Sequence, residues 1–229
     1  MKNQNLSSIF INAYLVAGIV HIFMMVSGND LLVTVSKYAL MPLLWLYVIT
    51  AIGFQKNILW LSLAILFSWL GDIFLMYTLN NEIYFIAGLA SFLIAHIFYI
   101  LCFLQLVDTR ITSFKWKFAL PFIIYGIFLL VYLYYGLGDM RLPVIVYAVV
   151  ITLMGIASLH RIGNTSDYSF AFVLIGALLF IASDSMIAVN KFQSPFHSAP
   201  FLIMVTYIAA QYLIASGCVM HIKEKAPLS

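Results

Sequence analysis

Two aspartates lie inside long apolar stretches of this chain, and no other residues are better placed to do chemistry. Asp72 lies within the run Ser68–Met76, and Asp184 lies within Phe180–Ala188, 112 positions later. A carboxylate inside a membrane span costs at least ~2.5 kcal/mol on insertion scales, so it is by default a candidate functional group. We therefore predict that Asp72 and Asp184 face one cavity and act there together.

Two carboxyl groups in one apolar cavity can provide both partners of acid–base catalysis. Like charges close together in a low dielectric do not ionise together, so one group keeps its proton beside the other's negative charge. Such a pair suits hydrolysis through an oxocarbenium-like state, and it suits proton relay in a transporter or lipid flippase equally well. A third interpretation is a non-catalytic lipid-binding protein, in which each Asp only bonds to Ser, Tyr or Lys and ties helices together.

The composition indicates that the elements which position these groups lie in a bilayer. Of the 229 residues, 65% are hydrophobic and 8% are charged, whereas an average soluble domain carries about 25% charged residues. The net charge of +3 is too small and too scattered to indicate nucleic-acid binding. The sequence therefore predicts an integral membrane protein with a single transmembrane domain over residues 1–229.

Breaks in hydropathy predict eight membrane spans, each near the ~20 residues that a helix needs to cross a bilayer. The spans are 8–27, 33–53, 57–77, 83–106, 116–136, 141–160, 168–190 and 200–221. They predict an all-α, polytopic transmembrane helical bundle. Spans 1–4 and 5–8 would start on the same side, which permits a 4+4 parallel repeat about an axis along the membrane normal.

The distribution of Lys and Arg predicts the orientation of the bundle. With eight spans, both termini share one side of the membrane. That side would carry Lys2, Lys56, Arg110, Lys115, Lys117, Arg161, Lys223 and Lys225, and the other side would carry Lys37, Arg141 and Lys191. Eight basic residues against three favour cytoplasmic termini and location in the inner (plasma) membrane of a bacterium.

The predicted spans place the two aspartates at matched depth. Asp72 lies 5 residues before the end of span 3 at Tyr77, and Asp184 lies 6 residues before Asn190 at the end of span 7. Both spans run outward, so each Asp would lie ~8–9 Å below the outer end of its helix. Matched depth on parallel helices favours a shared role.

Other polar residues are candidates to bind substrate around the two aspartates. Gln211 lies one helical turn from Tyr207, Ser68 lies one turn from Asp72, and Ser185 follows Asp184, so each pair lies close together. The full set of binding candidates is His21, Lys37, Ser68, His96, Tyr147, Ser185, Tyr207 and Gln211. Ordinary roles compete with this one: Lys37 could snorkel to the headgroups, His21 could be an interfacial residue, and His96 could make an interhelical hydrogen bond.

Other catalytic schemes have little support in the sequence. There is no Gly-x-Ser-x-Gly elbow, no His-Glu-x-x-His pair and no dinucleotide or P-loop glycine pattern. A zinc site would need scattered His and Asp. Cys102 and Cys218 lie in apolar runs and indicate buried thiols. These patterns therefore give little support to a metal or cofactor site.

Two blocks of residues, one around each Asp, carry a resemblance to a known family. The first is Gly71-Asp72 followed by Gly88-Leu89-x-x-Phe92-Leu93-x-Ala95-His96-x-x-Tyr99, and the second is Gly176-Ala177-Leu178-Leu179-Phe180-x-x-Ser183-Asp184-Ser185 followed by Tyr207-Ile208-x-Ala210-Gln211. Together they resemble the YhhN family, and Lys37 with Pro42 looks like its Lys-plus-Pro element. The resemblance extends from about Lys37 to Gln211.

Animal members of that family are lysoplasmalogenases, so the resemblance implies hydrolysis of the vinyl ether of lysoplasmalogen. The implied products are a fatty aldehyde and glycerophosphoethanolamine or glycerophosphocholine. The implied partners are a lysophospholipid substrate and membrane lipids. One of Asp72 and Asp184 would deliver a proton, and the other would stabilise the cation and orient water, so the implied chemistry requires no metal and no organic cofactor. Lys37 and His21 could meet the phosphate, and Tyr147, Tyr207 and Gln211 could hold water or a glycerol hydroxyl.

Overall fold

The structure is a computed structural model that describes residues 2–54, 58–78, 81–107 and 116–225. These ranges contain eight helices that are long and apolar enough to cross a membrane. They are α1 (Lys2–Ser27), α2 (Asp30–Ile52), α3 (Leu59–Met76), α4 (Glu82–Gln105), α5 (Trp116–Leu133), α6 (Arg141–Leu159), α7 (Asp167–Phe192) and α8 (Ala199–Lys225). The predicted all-α fold with eight transmembrane helices is confirmed.

The helix ends differ from the predicted span ends by a few residues. α1 begins at Lys2 rather than at residue 8, and α8 continues to Lys225 rather than ending at 221. Hydropathy marks only the apolar stretch, whereas a helix continues through polar residues that do not break it. α5 ends three residues earlier than predicted, and the short 3₁₀ turn Tyr134–Gly136 follows it.

Local sequence signals explain two of the helix starts. Gly28 has φ +73° and ends α1, a conformation that L side chains rarely adopt. The side chain of Asn29 then accepts a hydrogen bond from the Leu32 amide and caps α2. Ser166 caps α7 in the same way through the Ser169 amide. These caps satisfy amide groups that the helices themselves leave unpaired.

The chain packs as two compact units. The first unit comprises Met1–Cys102 and Val219–Ser229, and the second comprises Phe103–Cys218. The division therefore falls within α4 and within α8. The single domain over 1–229 and the 4+4 repeat both stay predictions.

Within each unit, glycines bring helices close together near the aspartates. A Cβ at Gly71 would lie 2.6 Å from the Phe92 ring, and one at Gly88 would lie 2.7 Å from Leu75, so α3 and α4 of the first unit pack closely. In the second unit, a Cβ at Gly176 would lie 2.8 Å from Ile214. Small residues at helix contacts are the usual device for close packing in membranes.

The orientation of the termini stays a prediction. Among the basic residues that support it, Lys56, Arg110 and Lys115 lie outside the described residues. Arg161 is not the exposed loop charge that the orientation argument assumes, because its side chain is fully buried. It reaches back from the end of α6 and donates from Nη2 to Ser169 Oγ on α7, at 2.8 Å.

Candidate active site

Asp72 lies in the first unit, where its carboxylate is paired with Lys37. Lys37 Nζ lies 3.7 Å from Asp72 Oδ1, and Asp72 is 3% exposed. Lys37 is near the start of α2 and Asp72 is near the end of α3, so the pair joins antiparallel neighbours. The Lys37 side chain is only 15% exposed, and its ammonium is directed to a carboxylate.

Two hydrogen bonds also join α2 and α3 near the ion pair. The indole Nε1–H of Trp69 donates to the carbonyl oxygen of Tyr38, at 3.0 Å. The hydroxyls of Tyr38 and Tyr77 lie 2.8 Å apart. Because Tyr38 follows Lys37 and Trp69 lies one turn before Asp72, these bonds fix the register of the two helices at the ion pair.

Two buried tyrosines share the surroundings of Asp72. Tyr14 on α1 is 0% exposed and Tyr99 on α4 is 1% exposed. Tyr14 is an electrostatic neighbour of both Tyr99 and Asp72. Sequence reasoning did not select Tyr14, because one tyrosine among 14 in an apolar chain carries no distinguishing signal.

His21 is buried within the protein, and its imidazole lies beside a hydroxyl of α2. It is 1% exposed, and its Nδ1 lies 3.0 Å from Ser36 Oγ. Ser36 directly precedes Lys37, so His21 lies beside the residue that pairs with Asp72. Lys37 is an electrostatic neighbour of the imidazole.

Ser68 and His96 are fully buried in the first unit. Ser68 lies one turn before Asp72, and its Oγ has no hydrogen-bond partner within the described ranges. The backbone of Phe92 is an electrostatic neighbour of the His96 imidazole, and the Phe92 ring packs against Gly71. His96 therefore lies on α4 one turn from the residue that packs beside Asp72.

Asp184 lies in the second unit, where Tyr147 donates its hydroxyl proton to Asp184 Oδ2. Tyr147 is in α6 and Asp184 is in α7. The next residue, Ser185, accepts a hydrogen bond from the Tyr125 hydroxyl of α5 at 2.8 Å and donates to the carbonyl oxygen of Ile181 at 2.6 Å. Tyr125, like Tyr14, was not selected from the sequence.

Asp184 also lines a small pocket between α5, α6 and α7. The pocket has a volume of about 50 Å³, and its polar lining includes Tyr125, Tyr147, Asp184 and Ser185. Its remaining walls are mostly apolar, with Phe122, Leu129 and Ile151 among them. About 10–15 Å³ by the same measure holds one water, so the pocket has room for water beside the carboxyl group.

Tyr207 and Gln211 are both buried on the face of α8 that packs on α7. Tyr207 is 3% and Gln211 is 0% exposed. The Tyr207 ring meets the Phe180 ring edge to face, with centroids 5.5 Å apart, and Phe180 lies one turn before Asp184. Ser183 Oγ donates to the carbonyl oxygen of Ile203 at 3.1 Å and joins the same two helices.

Comparisons with known proteins identify the family of this chain. The sequence profile of the YhhN family matches residues 32–218. This chain belongs to the YhhN family. Lysoplasmalogenase TMEM86A of Bos taurus is 32% identical over 184 residues, which are 77% of this chain and 73% of that protein. Lysoplasmalogenase TMEM86A of Homo sapiens is 34% identical over 185 residues, with the same coverage, and Lysoplasmalogenase TMEM86B of Sus scrofa is 33% identical over 141 residues, 57% of this chain and 52% of that protein.

No solved structure is significantly similar to this YhhN chain. Residues of its two motif blocks nevertheless make helix-packing contacts within each unit. In the first block, Gly71 leaves space for the Phe92 ring next to Asp72. In the second, Gly176 packs on Ile214, while Tyr207 packs on Phe180 one turn from Asp184.

The predicted site residues of this YhhN protein divide between the units. Asp72, Lys37, His21, Ser68 and His96 belong to the first unit, and Asp184, Tyr147, Ser185, Tyr207 and Gln211 belong to the second. Within the described ranges, no three His, Cys, Asp or Glu residues form a group that could hold a metal ion. That the two aspartates face one cavity stays a prediction.

Proposed function

We propose that this protein is an intramembrane hydrolase that cleaves the vinyl ether of lysoplasmalogen-type lysolipids. The products would be a fatty aldehyde and glycerophosphoethanolamine or glycerophosphocholine. The observation that carries the proposal is the similarity to proteins named lysoplasmalogenase, at 32% and 34% identity over about three quarters of this chain. The site of action would be a bacterial inner membrane.

The reaction needs one proton donor, one negative group and one water. A proton adds to the β-carbon of the vinyl ether and leaves an oxocarbenium ion on the neighbouring carbon. Water adds to that carbon and loses a proton, which gives a hemiacetal. The hemiacetal then collapses to aldehyde and glycerol hydroxyl. No atom is oxidised or reduced overall, so acid–base groups are sufficient for the reaction.

We assign the negative group to Asp72 and the proton donor to Asp184. Lys37 supports the first assignment, because an ammonium 3.7 Å away stabilises an ionised carboxylate that can face the oxocarbenium ion. Two neighbouring carboxyl groups do not ionise together, so the proton falls to Asp184, and the hydrogen bond from Tyr147 positions that carboxyl group at a pocket with room for water. The assignment requires both groups to reach one substrate molecule.

The remaining candidates would bind the polar part of the lysolipid. Lys37 has three N–H donors, so it can meet a phosphate oxygen while it stays near Asp72, and His21 lies beside it through Ser36. Tyr207 and Gln211 are the candidates in the second unit to hold water or a glycerol hydroxyl. His96, Ser68 and Ser185 would support the turns that carry the two carboxyl groups.

The experiment is an aldehyde-release assay on the purified protein in nanodiscs. The substrate is a 1-alk-1-enyl lysophosphoethanolamine, and the matched controls are the saturated 1-alkyl ether and the 1-acyl ester with the same head group. We expect aldehyde from the vinyl ether alone. Absence of aldehyde would contradict the proposal. Substrate-dependent proton flux in liposomes with the lipid intact would instead support the transporter interpretation.

A further inference from the structure

An apolar groove between α2 and α3 has no role in the chemistry described above. It has a volume of about 430 Å³, within the ~300–1,000 Å³ that is typical of small-molecule sites. Its lining includes Met41, Trp45, Ser62, Ile65, Leu66 and Trp69. We call it the α2–α3 groove, and it lies entirely within the first unit.

The α2–α3 groove approaches the Lys37–Asp72 ion pair to within one helical turn, because its lining begins at Met41 on α2, one turn after Lys37. Trp69 lines the groove, lies one turn before Asp72, and donates its indole proton to Tyr38, the residue after Lys37. Ile65 lines the groove two turns before Asp72 on the same helix face. From Trp69 to Leu59 at the far end, the groove wall extends 10 residues along α3, or ~15 Å.

The walls and the open side of the groove fit a hydrocarbon chain. Its lining surface is almost entirely apolar, and two lining residues, Leu59 and Leu66, are 48% and 44% exposed. Exposed leucines in a membrane helix face lipid, so a chain can enter sideways from the bilayer. Water has no polar partners along such a wall and would not fill it.

The charges at the end of the groove fit the head of the same molecule. We propose that the α2–α3 groove binds the hydrocarbon chain of the lysolipid while Lys37 binds its phosphate. This rests on the proposed function, because the vinyl ether joins the chain to the glycerol. A carboxylate that acts on that bond must therefore have the chain on one side and the phosphate on the other. Asp72 meets this requirement, because the groove for the chain lies on one side of it and Lys37 for the phosphate lies on the other.

The first test fills the groove. Ser62→Trp and Leu66→Trp each place an indole on its wall, and Ile97→Trp is the matched control, because Ile97 is 40% exposed on α4 and does not line the groove. We expect kcat/KM for a hexadecenyl lysolipid to fall at least ~10-fold in the two groove variants, with kcat/KM for a butenyl lysolipid unchanged. Equal effects on both chain lengths, or none on either, would overturn the proposal and leave the hydrolase intact.

The second test does not depend on activity or on a variant. A lysolipid with a diazirine at the end of its chain is crosslinked to the wild-type protein in nanodiscs, and the labelled peptides are mapped. Labelling at Leu59–Leu66 would support the groove if excess unlabelled lysolipid abolishes it and excess diacyl lipid does not. Labelling elsewhere, or labelling that diacyl lipid abolishes equally, would overturn it. If the wild type labels at the groove but releases no aldehyde, the groove proposal stands and the hydrolase proposal fails.

Discussion

Lys37 Nζ and Asp72 Oδ1 lie 3.7 Å apart, and the two side chains are 15% and 4% exposed. The pair joins the start of α2 to the end of α3 in the interior of the first unit. Removing one partner of a buried ion pair leaves an uncompensated charge, whereas removing both is often close to neutral. The free energy of unfolding of the single and double variants can therefore separate the interaction between the two charges from the cost of burying each charge alone.

Lys37→Met should destabilise the protein by ~3–5 kcal/mol, because it leaves the Asp72 carboxylate without its ammonium. The double variant Lys37→Met/Asp72→Asn should recover much of that loss. Unfolding in mixed micelles, followed by circular dichroism, compares four proteins: the wild type, Lys37→Met, Asp72→Asn and the double variant. Lys37→Arg is the control that keeps the charge. Purely additive effects of the two substitutions would show that the side chains do not interact.

Tyr147→Phe tests the hydrogen bond to Asp184. A bond to a charged or acidic group contributes ~1.5–3 kcal/mol, so we expect kcat to fall by ~10–100-fold while KM stays near the wild-type value. The matched control is Tyr125→Phe, which removes a hydroxyl bonded to the neighbouring Ser185 rather than to Asp184. If the two variants lose equal activity, the Tyr147 hydroxyl has no special role.

Asp72→Asn and Asp184→Asn, alone and together, test whether the carboxyl groups act in one transition state. Each single variant should lose at least ~10²-fold in kcat, the lower end for acid–base groups. Groups that act as a unit are non-additive, so the double variant should lose about as much as the worse single variant. Independent, multiplying losses would contradict a shared site, and wild-type turnover in both single variants would remove the mechanism.

Gly71→Ala tests the close contact that supports the Asp72 turn. A Cβ there would lie 2.6 Å from the Phe92 ring, so the ring or the helix must move, and overpacking of this kind costs ~1–3 kcal/mol. We expect lower thermal stability and lower activity. Gly71→Ala/Phe92→Leu removes the clashing ring atoms and should recover part of both. If Phe92→Leu restores neither thermal stability nor activity, the effect of Gly71→Ala does not come from the contact with the Phe92 ring.

The sequence predicts the helices of this protein well and their side-chain partners poorly. Eight apolar runs of sufficient length, separated by polar residues, leave few alternatives to eight membrane spans. Lys37 and Tyr147 could also be predicted as site residues from the sequence, because a polar group in a membrane span is costly unless it has a partner or a function. Which carboxylate each one contacts depends on helix rotation and register, and the period of hydrophobicity is weak when lipid and core are equally apolar.

The residues that sequence reasoning missed share one property: their types are common in this chain. Tyr14 and Tyr125 are two of 14 tyrosines, and each gains meaning only from the side chain it meets across a helix contact. The α2–α3 groove depends in the same way on how Trp45 and Trp69 pack. His21 and Arg161, near helix ends, look exposed in the sequence, yet their side chains fold back into the protein.

Ser169→Ala tests the bonds that hold Arg161 in the interior. Ser169 Oγ accepts from Arg161 Nη2 at 2.8 Å and donates to the carbonyl oxygen of Gly217 at 2.7 Å, which joins the end of α6 to α7 and α8. Nε and Nη1 of Arg161 have no hydrogen-bond partner in the described part of the chain. Without Ser169 the buried guanidinium therefore loses its side-chain partner, and we expect a loss of ~1–3 kcal/mol in the free energy of unfolding.

The matched control for Ser169→Ala is Thr206→Ala, whose hydroxyl donates only within its own helix, to the carbonyl oxygens of Leu202 and Ile203. Its removal should change the free energy of unfolding by less than ~0.5 kcal/mol, as for ordinary surface positions. Because neither residue belongs to the proposed catalytic set, the folded fraction of both variants should release aldehyde at the wild-type rate. A Ser169→Ala protein as stable as the Thr206→Ala protein would show that Arg161 is held by its packing rather than by this hydroxyl.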